Sequence, residues 1–144
     1  MANQETVETG YTIKTYQGLL LPEAYTNYIK ARWMRSFRRG NDYMKLSDSD
    51  AYFNAYSTYI NNILNDDETS VSLAVLYDEP DVALGFSVLT DMCLHYIYVG
   101  QDYRRQGIGT GLLPTNIREI SHLTKIGLEL WPKKMPRAVF NPFN

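Results

Sequence analysis

The residues best suited to chemistry lie between Val99 and Leu113. Arg104-Arg105-Gln106-Gly107-Ile108-Gly109 places two cations and two glycines in one short loop, with Thr110 after it. Before it, Leu94-His95-Tyr96-Ile97-Tyr98-Val99 is rich in aromatic and β-branched residues and reads as a strand. After it, Leu112 and Leu113 begin a helical pattern. The order is strand, basic glycine loop, helix start. A helix start leaves N–H groups without partners and carries partial positive charge. Gly107 and Gly109 remove the Cβ atoms that would hold an anion away from those amides, and Arg104 and Arg105 add full charges at the rim. Such a loop suits a pyrophosphate. It lacks the Gly-Lys-Ser/Thr ending of a nucleoside-triphosphate loop, and Leu112 stands where a dinucleotide fingerprint has its third glycine.

Other reactive side chains are few. Cys93 has no Cys-His-Asp context to make it a nucleophile. His122 reads as a surface residue of a helix, and no metal site is expected. Arg32, Arg35, Arg38 and Arg39 crowd the end of one helical stretch. They suit either a solvated helix C-terminus, where cations are favoured, or a face for an acidic substrate or partner.

These residues need a scaffold. Tyr11–Tyr16 alternates as a first strand. Pro22 opens a helix whose apolar face is Tyr25, Tyr28, Ile29, Trp33 and Phe37, and Gly40 stops it. Ser47 and Asp50 stand at capping-box spacing before a second helix that runs to about Leu64. Tyr52, Tyr56, Tyr59, Ile60 and Ile63 line one side of it, a stripe that normally packs into a core. Val71–Tyr77 and Val82–Leu89 flank an Asp-Glu-Pro-Asp turn as an antiparallel hairpin, and the Leu94 strand follows. Pro114 must kink the next helix or disturb its first turn. Ile117, Ile120 and Leu123 resume a helical pattern over Asn116–Thr124, and Lys125–Trp131 reads as a fifth strand. Residues 1–10 are expected to be flexible, and 132–144, with Pro136 and Pro142, irregular.

With 144 residues the chain is expected to form a single domain, 1–144. A net charge of −2 and a pI near 5.6 argue against a nucleic-acid surface. One cysteine fits a reducing compartment, and neither a signal peptide nor a membrane span is visible. A cytoplasmic protein is the expectation, with no nucleic-acid or membrane partner.

The spacing Arg104-x-x-Gly107-x-Gly109, with the aromatic-basic pair Tyr103-Arg104 and a strand before it, resembles the acetyl-CoA loop of the GCN5-related N-acetyltransferase (GNAT) superfamily. The likeness follows element order over residues 11–131 and is specific in sequence over Leu94–Leu113. It implies an α/β (α+β) fold with a mixed, mostly antiparallel central sheet flanked by helices, shortened at the C-terminus. The tail is too short for the family's last helix and two closing strands. Acetyl-CoA is the implied co-substrate, with its pyrophosphate on Arg104, Arg105, Gln106, Gly107, Ile108, Gly109 and Thr110. A bulge before the loop would aim the N–H of Ile97, Tyr98 or Val99 at the acetyl carbonyl. The acceptor would be an amine of a small molecule or a protein, in a groove bordered by the first two helices at Trp33, Tyr52 and Tyr56.

Leu-His-Tyr-Ile-Tyr-Val looks like the arylalkylamine branch of that superfamily, which implies His95 as the base, acting directly or through water. The other reading of His95 is a packed ring with its N–H satisfied. The tyrosine acid common in the family has no counterpart after Tyr103. A thiolate leaves readily all the same, since a free thiol has a pKa of only ~8.5. The chain also resembles short GNAT-like proteins of tailed-phage genomes, some of them virion or assembly components. That likeness implies a second expectation: a non-catalytic interaction module that self-associates or assembles with other proteins.

Overall fold

The computed structural model describes residues 10–104, 106–122 and 135–143. Four antiparallel strands form the body of the sheet: β1 (Tyr11–Gln17), β2 (Thr69–Leu76), β3 (Ala83–Thr90) and β4 (Cys93–Val99). Two short strands, β5 (Glu119–Ile120) and β6 (Val139–Phe140), extend it in parallel, so the spatial order is β1-β2-β3-β4-β5-β6. Helices α1 (Glu23–Gly40), α2 (Asp42–Lys45) and α3 (Ser49–Leu64) precede β2, and a single turn, α4 (Ile108–Gly111), follows the glycine loop. This is the mixed, mostly antiparallel α+β architecture expected. No helix among the described residues is long and apolar enough to cross a membrane.

The central strands carry nearly continuous apolar runs because both faces of the sheet are covered. On one face Val71, Leu73, Val75, Phe86, Val88 and Tyr96 pack under Ile29 and Trp33 of α1 and Ile60 and Leu64 of α3. On the other, Ala74, Leu84, Leu94, Ile97 and Val99 meet Ile108, Leu112, Ile117, Ile120 and Met135. The first face is aromatic and the second aliphatic.

Local signals start and stop the helices. Pro22 is the residue before α1, its carbonyl accepting from Thr26 N–H at 2.9 Å. Asn41 Oδ1 accepts from Met44 N–H at 3.1 Å and opens α2. The cap of α3 is Asp48, not Ser47: Asp48 Oδ2 accepts from Ala51 N–H at 2.9 Å. Ser47 Oγ donates to Met44 C=O and closes α2. Between β3 and β4, Asp91 (φ 46°) and Met92 (φ 66°) both adopt the left-handed conformation. A two-residue hairpin turn of this kind normally takes Asn-Gly or Asp-Gly. The Met92 carbonyl accepts from Arg118 N–H at 2.9 Å and so anchors the approach to β5.

The C-terminal third departs from expectation. The helix after the loop stops at one turn, ahead of Pro114, which has no N–H to give. The helix expected over Asn116–Thr124 is absent from its described part. Glu119–Ile120 instead lies parallel to β4, with Cys93 opposite Glu119 and Leu94 opposite Ile120. Ile117 and Ile120, three apart, suited a helical face, but both are buried by an extended segment. The tail is not irregular throughout, since Val139 N–H donates to Arg118 C=O and Asn141 N–H to Ile120 C=O. The strand expected over Lys125–Trp131 lies outside the described residues, as do nine of the ten N-terminal residues.

Candidate functional site

The site is built on β4. Val88 of β3 faces Tyr96 while the adjacent Leu89 faces Leu94, so His95 is the extra residue of a β-bulge. A bulge re-aims the strand beyond it. Leu94 C=O accepts from Ser121 N–H at 3.0 Å, on the β5 side. Gly100 N–H donates to Leu84 C=O at 2.8 Å, on the β3 side. Leu94 and Gly100 are an even number of residues apart, so only the bulge lets them point opposite ways. Counting back from Gly100, Tyr98 turns its backbone toward β3, while Ile97 and Val99 turn theirs to the β5 side, where none of the described residues pairs with them. Tyr98, expected among the carbonyl-binding residues, therefore has its amide engaged in the β3 ladder. Gly85 permits the close approach of the two strands: a Cβ there would lie 2.5 Å from Tyr98 O.

The basic loop continues from this end of β4. Arg104 Nε donates to Val99 C=O at 3.0 Å, which ties the loop to the strand end. Gly107 has φ +81°, a conformation that only glycine adopts freely, and it starts α4. Ile108 is buried in the aliphatic core and pins the turn, so only its backbone is available to a ligand. Among the described residues, no hydrogen-bond acceptor takes the N–H of Gln106, Gly107, Ile108 or Gly109. Arg104, Gln106 and Thr110 are exposed beside them, and Arg105 lies outside the described residues. A one-turn helix has little macrodipole, so the attraction for an anion rests on these individual N–H groups and on Arg104.

On the other side of β4 a polar relay runs through the aromatic face. His95, 3% exposed, shares a 2.8 Å hydrogen bond between its Nδ1 and Ser121 Oγ. The same Oγ lies 2.8 Å from His122 Nδ1, and His122 Nε2 is hydrogen-bonded to the Tyr56 hydroxyl. The His122 ring is boxed by Trp33, Phe37, Tyr59 and Tyr96. This corrects the expectation of a surface helical residue. Burial, helped by the neighbouring His95, pulls the His122 pKa down to about 4. Burial also lowers His95, against a smaller upward pull from Asp66. Both imidazoles are therefore neutral at neutral pH, and each can accept at one nitrogen while donating at the other. Burial pushes the Tyr56 hydroxyl well above the usual phenol range.

The Ser121 hydroxyl has one proton to give between two Nδ1 atoms. If it donates to His95, His122 Nδ1–H donates to Ser121 and Tyr56 O–H donates to His122. If it donates to His122, every bond reverses. The relay thus accommodates two neutral proton arrangements, which differ in the tautomers of both rings and in the direction each hydroxyl points.

It opens on a cleft of about 540 Å³. Ser121 and His122 form the floor, Phe37, Asn41 and Met44 one wall, Ala55, Tyr56 and Tyr59 another, and Phe140 and Pro142 of the tail the rim. Of the three residues expected to border a groove, Tyr56 does so. Trp33 is fully buried and stacks on Tyr96 at 5.1 Å. Tyr52 donates its hydroxyl to Met34 C=O at 2.6 Å beneath the Arg38 guanidinium. Both are structural supports. His95 does not line the cleft and reaches it only through Ser121. Cys93 is buried, its thiol pushed up to about 11 by desolvation first and Glu119 second, so it is inert.

Sequence reasoning missed Ser121, His122, Tyr59 and the tail residues. The available signal was Pro114 with Asn116: two helix-disfavouring residues that leave Ile120-Ser121-His122 free to extend beside β4.

Comparison with known proteins fits this geometry. No curated protein sequence matches the chain. Among solved structures, a protein of Pyrococcus furiosus described provisionally as an acetyl transferase superposes with a TM-score of 0.59 at 18% identity, over 91% of this chain and 81% of its own. An aminoglycoside acetyltransferase, meta-AAC0020, from an uncultured soil metagenomic sample and solved with sisomicin, gives 0.51 at 17% identity over 92% of each chain. At these identities the likeness speaks for the fold. The model of the acetyltransferase (GNAT) family, whose members use acetyl-CoA, matches residues 26–129, a stretch that includes the bulged strand, the glycine loop and both histidines. The chain belongs to the GNAT acetyltransferase family.

Proposed function

We propose that the protein is an acetyl-CoA-dependent N-acetyltransferase, with its acceptor amine in the cleft between α1, α3 and the tail. The bulge at His95 carries this reading. It turns the Ile97 and Val99 backbone to the β5 side of β4, unpaired among the described residues, with loop amides that no described acceptor takes at one end and the imidazole relay at the other. Bound acetyl-CoA supplies a thioester carbonyl as the electrophile. The Gln106–Gly109 amides and Arg104 hold the pyrophosphate, and the N–H of Ile97 or Val99 stabilises charge developing on the carbonyl oxygen.

The attacking amine must first lose a proton. His122 Nε2 and the Tyr56 hydroxyl face the cleft and accept it, and Ser121 and His95 share it behind them. An imidazole with a low pKa holds a proton weakly, so passing it along the relay matters more than storing it. As the C–N bond forms and the C–S bond breaks, the thiolate leaves without an enzyme acid.

Thiol release from acetyl-CoA with a panel of amines and peptides tests the reading. The wild-type protein releases thiol only with an acceptor present. Arg104→Glu lowers kcat/KM for acetyl-CoA more than about 100-fold, because a charged hydrogen-bonding group becomes a repulsive one. No release with any acceptor overturns the proposal.

Two observations favour a second reading, a non-catalytic interaction module. The helix behind the loop is one turn long. Tyr43 of α2 and Leu46 just after it are 84% and 85% exposed, on a surface suited to association. Light scattering separates the readings: a monomer that turns over acetyl-CoA excludes the second.

A further inference from the structure

The acceptor itself leaves a signature in the cleft walls. None of the described residues lining the cleft is an aspartate or glutamate, and its imidazole is neutral. A polycationic acceptor needs carboxylates to replace its hydration, and this cleft offers rings, a methionine and hydroxyls instead. On the other side of α2 lies a second depression of about 400 Å³, lined by Arg35, Arg38, Arg39, Lys45 and Phe53. Its cations are poorly compensated. Among the described residues the ion pair formed is Lys45–Asp42 at 3.6 Å, and Asp48 is engaged in capping α3.

Arg38 is held ready for a ligand. Nε donates to Met44 C=O at 3.1 Å and Nη2 to Ser47 C=O at 2.7 Å, while its guanidinium lies over the Tyr52 and Phe53 rings. Little side-chain freedom remains to be lost when an anion arrives. Arg35 and Arg39 are exposed at the mouth. The two depressions share α2 as a wall, with Asn41 and Met44 facing the cleft and Lys45 facing the basic side.

We infer that the acceptor is an acidic polypeptide. Its amino group enters the aromatic cleft, and its carboxylate side chains cross α2 to the cluster of Arg35, Arg38, Arg39 and Lys45. This rests on the transferase reading and adds the substrate class. Length favours a polypeptide over a small amino acid. A helix with its side chains is about 10–12 Å across, and extended chain advances about 3.3 Å per residue. The first acidic side chain therefore sits about three or four residues from the reacting amine.

The test uses the full chain, acetyl-CoA and N-terminal peptides with identical first three residues that carry Glu, Ala or Lys at positions four and five. Expected is at least a tenfold higher kcat/KM for the Glu peptide than for the Lys peptide, shrinking with added salt. In the double variant Arg35→Glu/Arg39→Glu that ratio falls to one or inverts. Because the readout is a ratio within one protein, partial loss of fold does not imitate the result. Equal rates for the three peptides, or a preference for Lys, overturn the acidic acceptor while leaving acetyl transfer intact. If no peptide is acetylated, fluorescence anisotropy decides. Tenfold tighter binding of the Glu peptide, lost in the double variant, upholds the acidic partner of the basic cluster and removes the transferase. Equal or absent peptide binding, or tighter binding of a single-stranded RNA oligomer, overturns the inference.

Discussion

The two faces of the sheet do different work with the same strands. The aliphatic face buries Leu94, Ile97, Val99, Ile108 and Ile120, and its polar contribution is backbone: the β5-side groups of Ile97 and Val99 and the loop amides. The aromatic face buries Trp33, Phe86 and Tyr96, and its polar contribution is side chain: Tyr56, His122, Ser121 and His95. Aliphatic packing fixes a strand end and a turn tightly enough for amides to serve as a cradle. Rings with polar tips pack as core while carrying hydroxyl and imidazole groups to a cleft. The bulge at His95 joins the two, because it sets which backbone groups face the β5 side and places His95 against Ser121.

The largest expected effect breaks the aromatic face. Trp33→Ala should destabilise the protein by about 3–5 kcal/mol in urea unfolding, since a fully buried indole stacked on Tyr96 leaves a cavity. Trp33→Phe should cost clearly less. The indole N–H makes no hydrogen bond of normal geometry among the described residues and only a weak polar contact with Tyr56, so little bonding is lost with it.

Acid should also act on this face. The His122 pKa is about 4 in the folded protein, against ~6.5 for a free histidine. Below pH 6.5 the unfolded chain takes up a proton that the folded protein refuses. Stability is then full above pH 6.5 and falls as pH drops toward 4, by about 3 kcal/mol from this residue. His95 acts in the same direction. His122→Gln should flatten the dependence in denaturant titrations at pH 4.5 and 7.5, and an unchanged slope would contradict the buried neutral ring.

Interrupting the relay sharpens the division further. Ser121→Ala should lower kcat about tenfold with little change in KM for acetyl-CoA, since the Oγ bridges both imidazoles and lies away from the loop. An equal loss through KM would move Ser121 from proton handling to binding. The smallest effect tests the turn that anchors β5. Met92→Gly relieves a left-handed residue at φ 66° and should raise stability by up to about 1 kcal/mol in thermal unfolding.

Much of this was legible before the structure. The helices around Trp33 and Tyr56, the Val71–Leu89 hairpin and the Leu94 strand follow from periodicities of 3.6 and 2 in long segments. The Arg104–Gly109 loop follows from glycine and charge between strand and helix. The relay was not legible, for physical reasons. Ser121 and His122 meet His95 through two residues of parallel pairing, set by distant backbone hydrogen bonds and by the Met92 turn, neither of which leaves a local pattern. Ile117 and Ile120 satisfy a helical repeat and a buried extended segment equally well. The groove residues were half legible. An aromatic stripe at helical spacing shows which side faces inward, but not that Tyr56 reaches the cleft while Trp33 and Tyr52 stay behind it.

Acetyl transfer by this protein requires that the glycine loop and the adjoining end of β4 receive acetyl-CoA. Isothermal titration calorimetry of the full chain with acetyl-CoA should give one site per chain with a Kd below about 1 mM, within the usual range of enzyme–substrate affinities. Absence of binding heat at millimolar acetyl-CoA, with the protein shown to be folded, would contradict it.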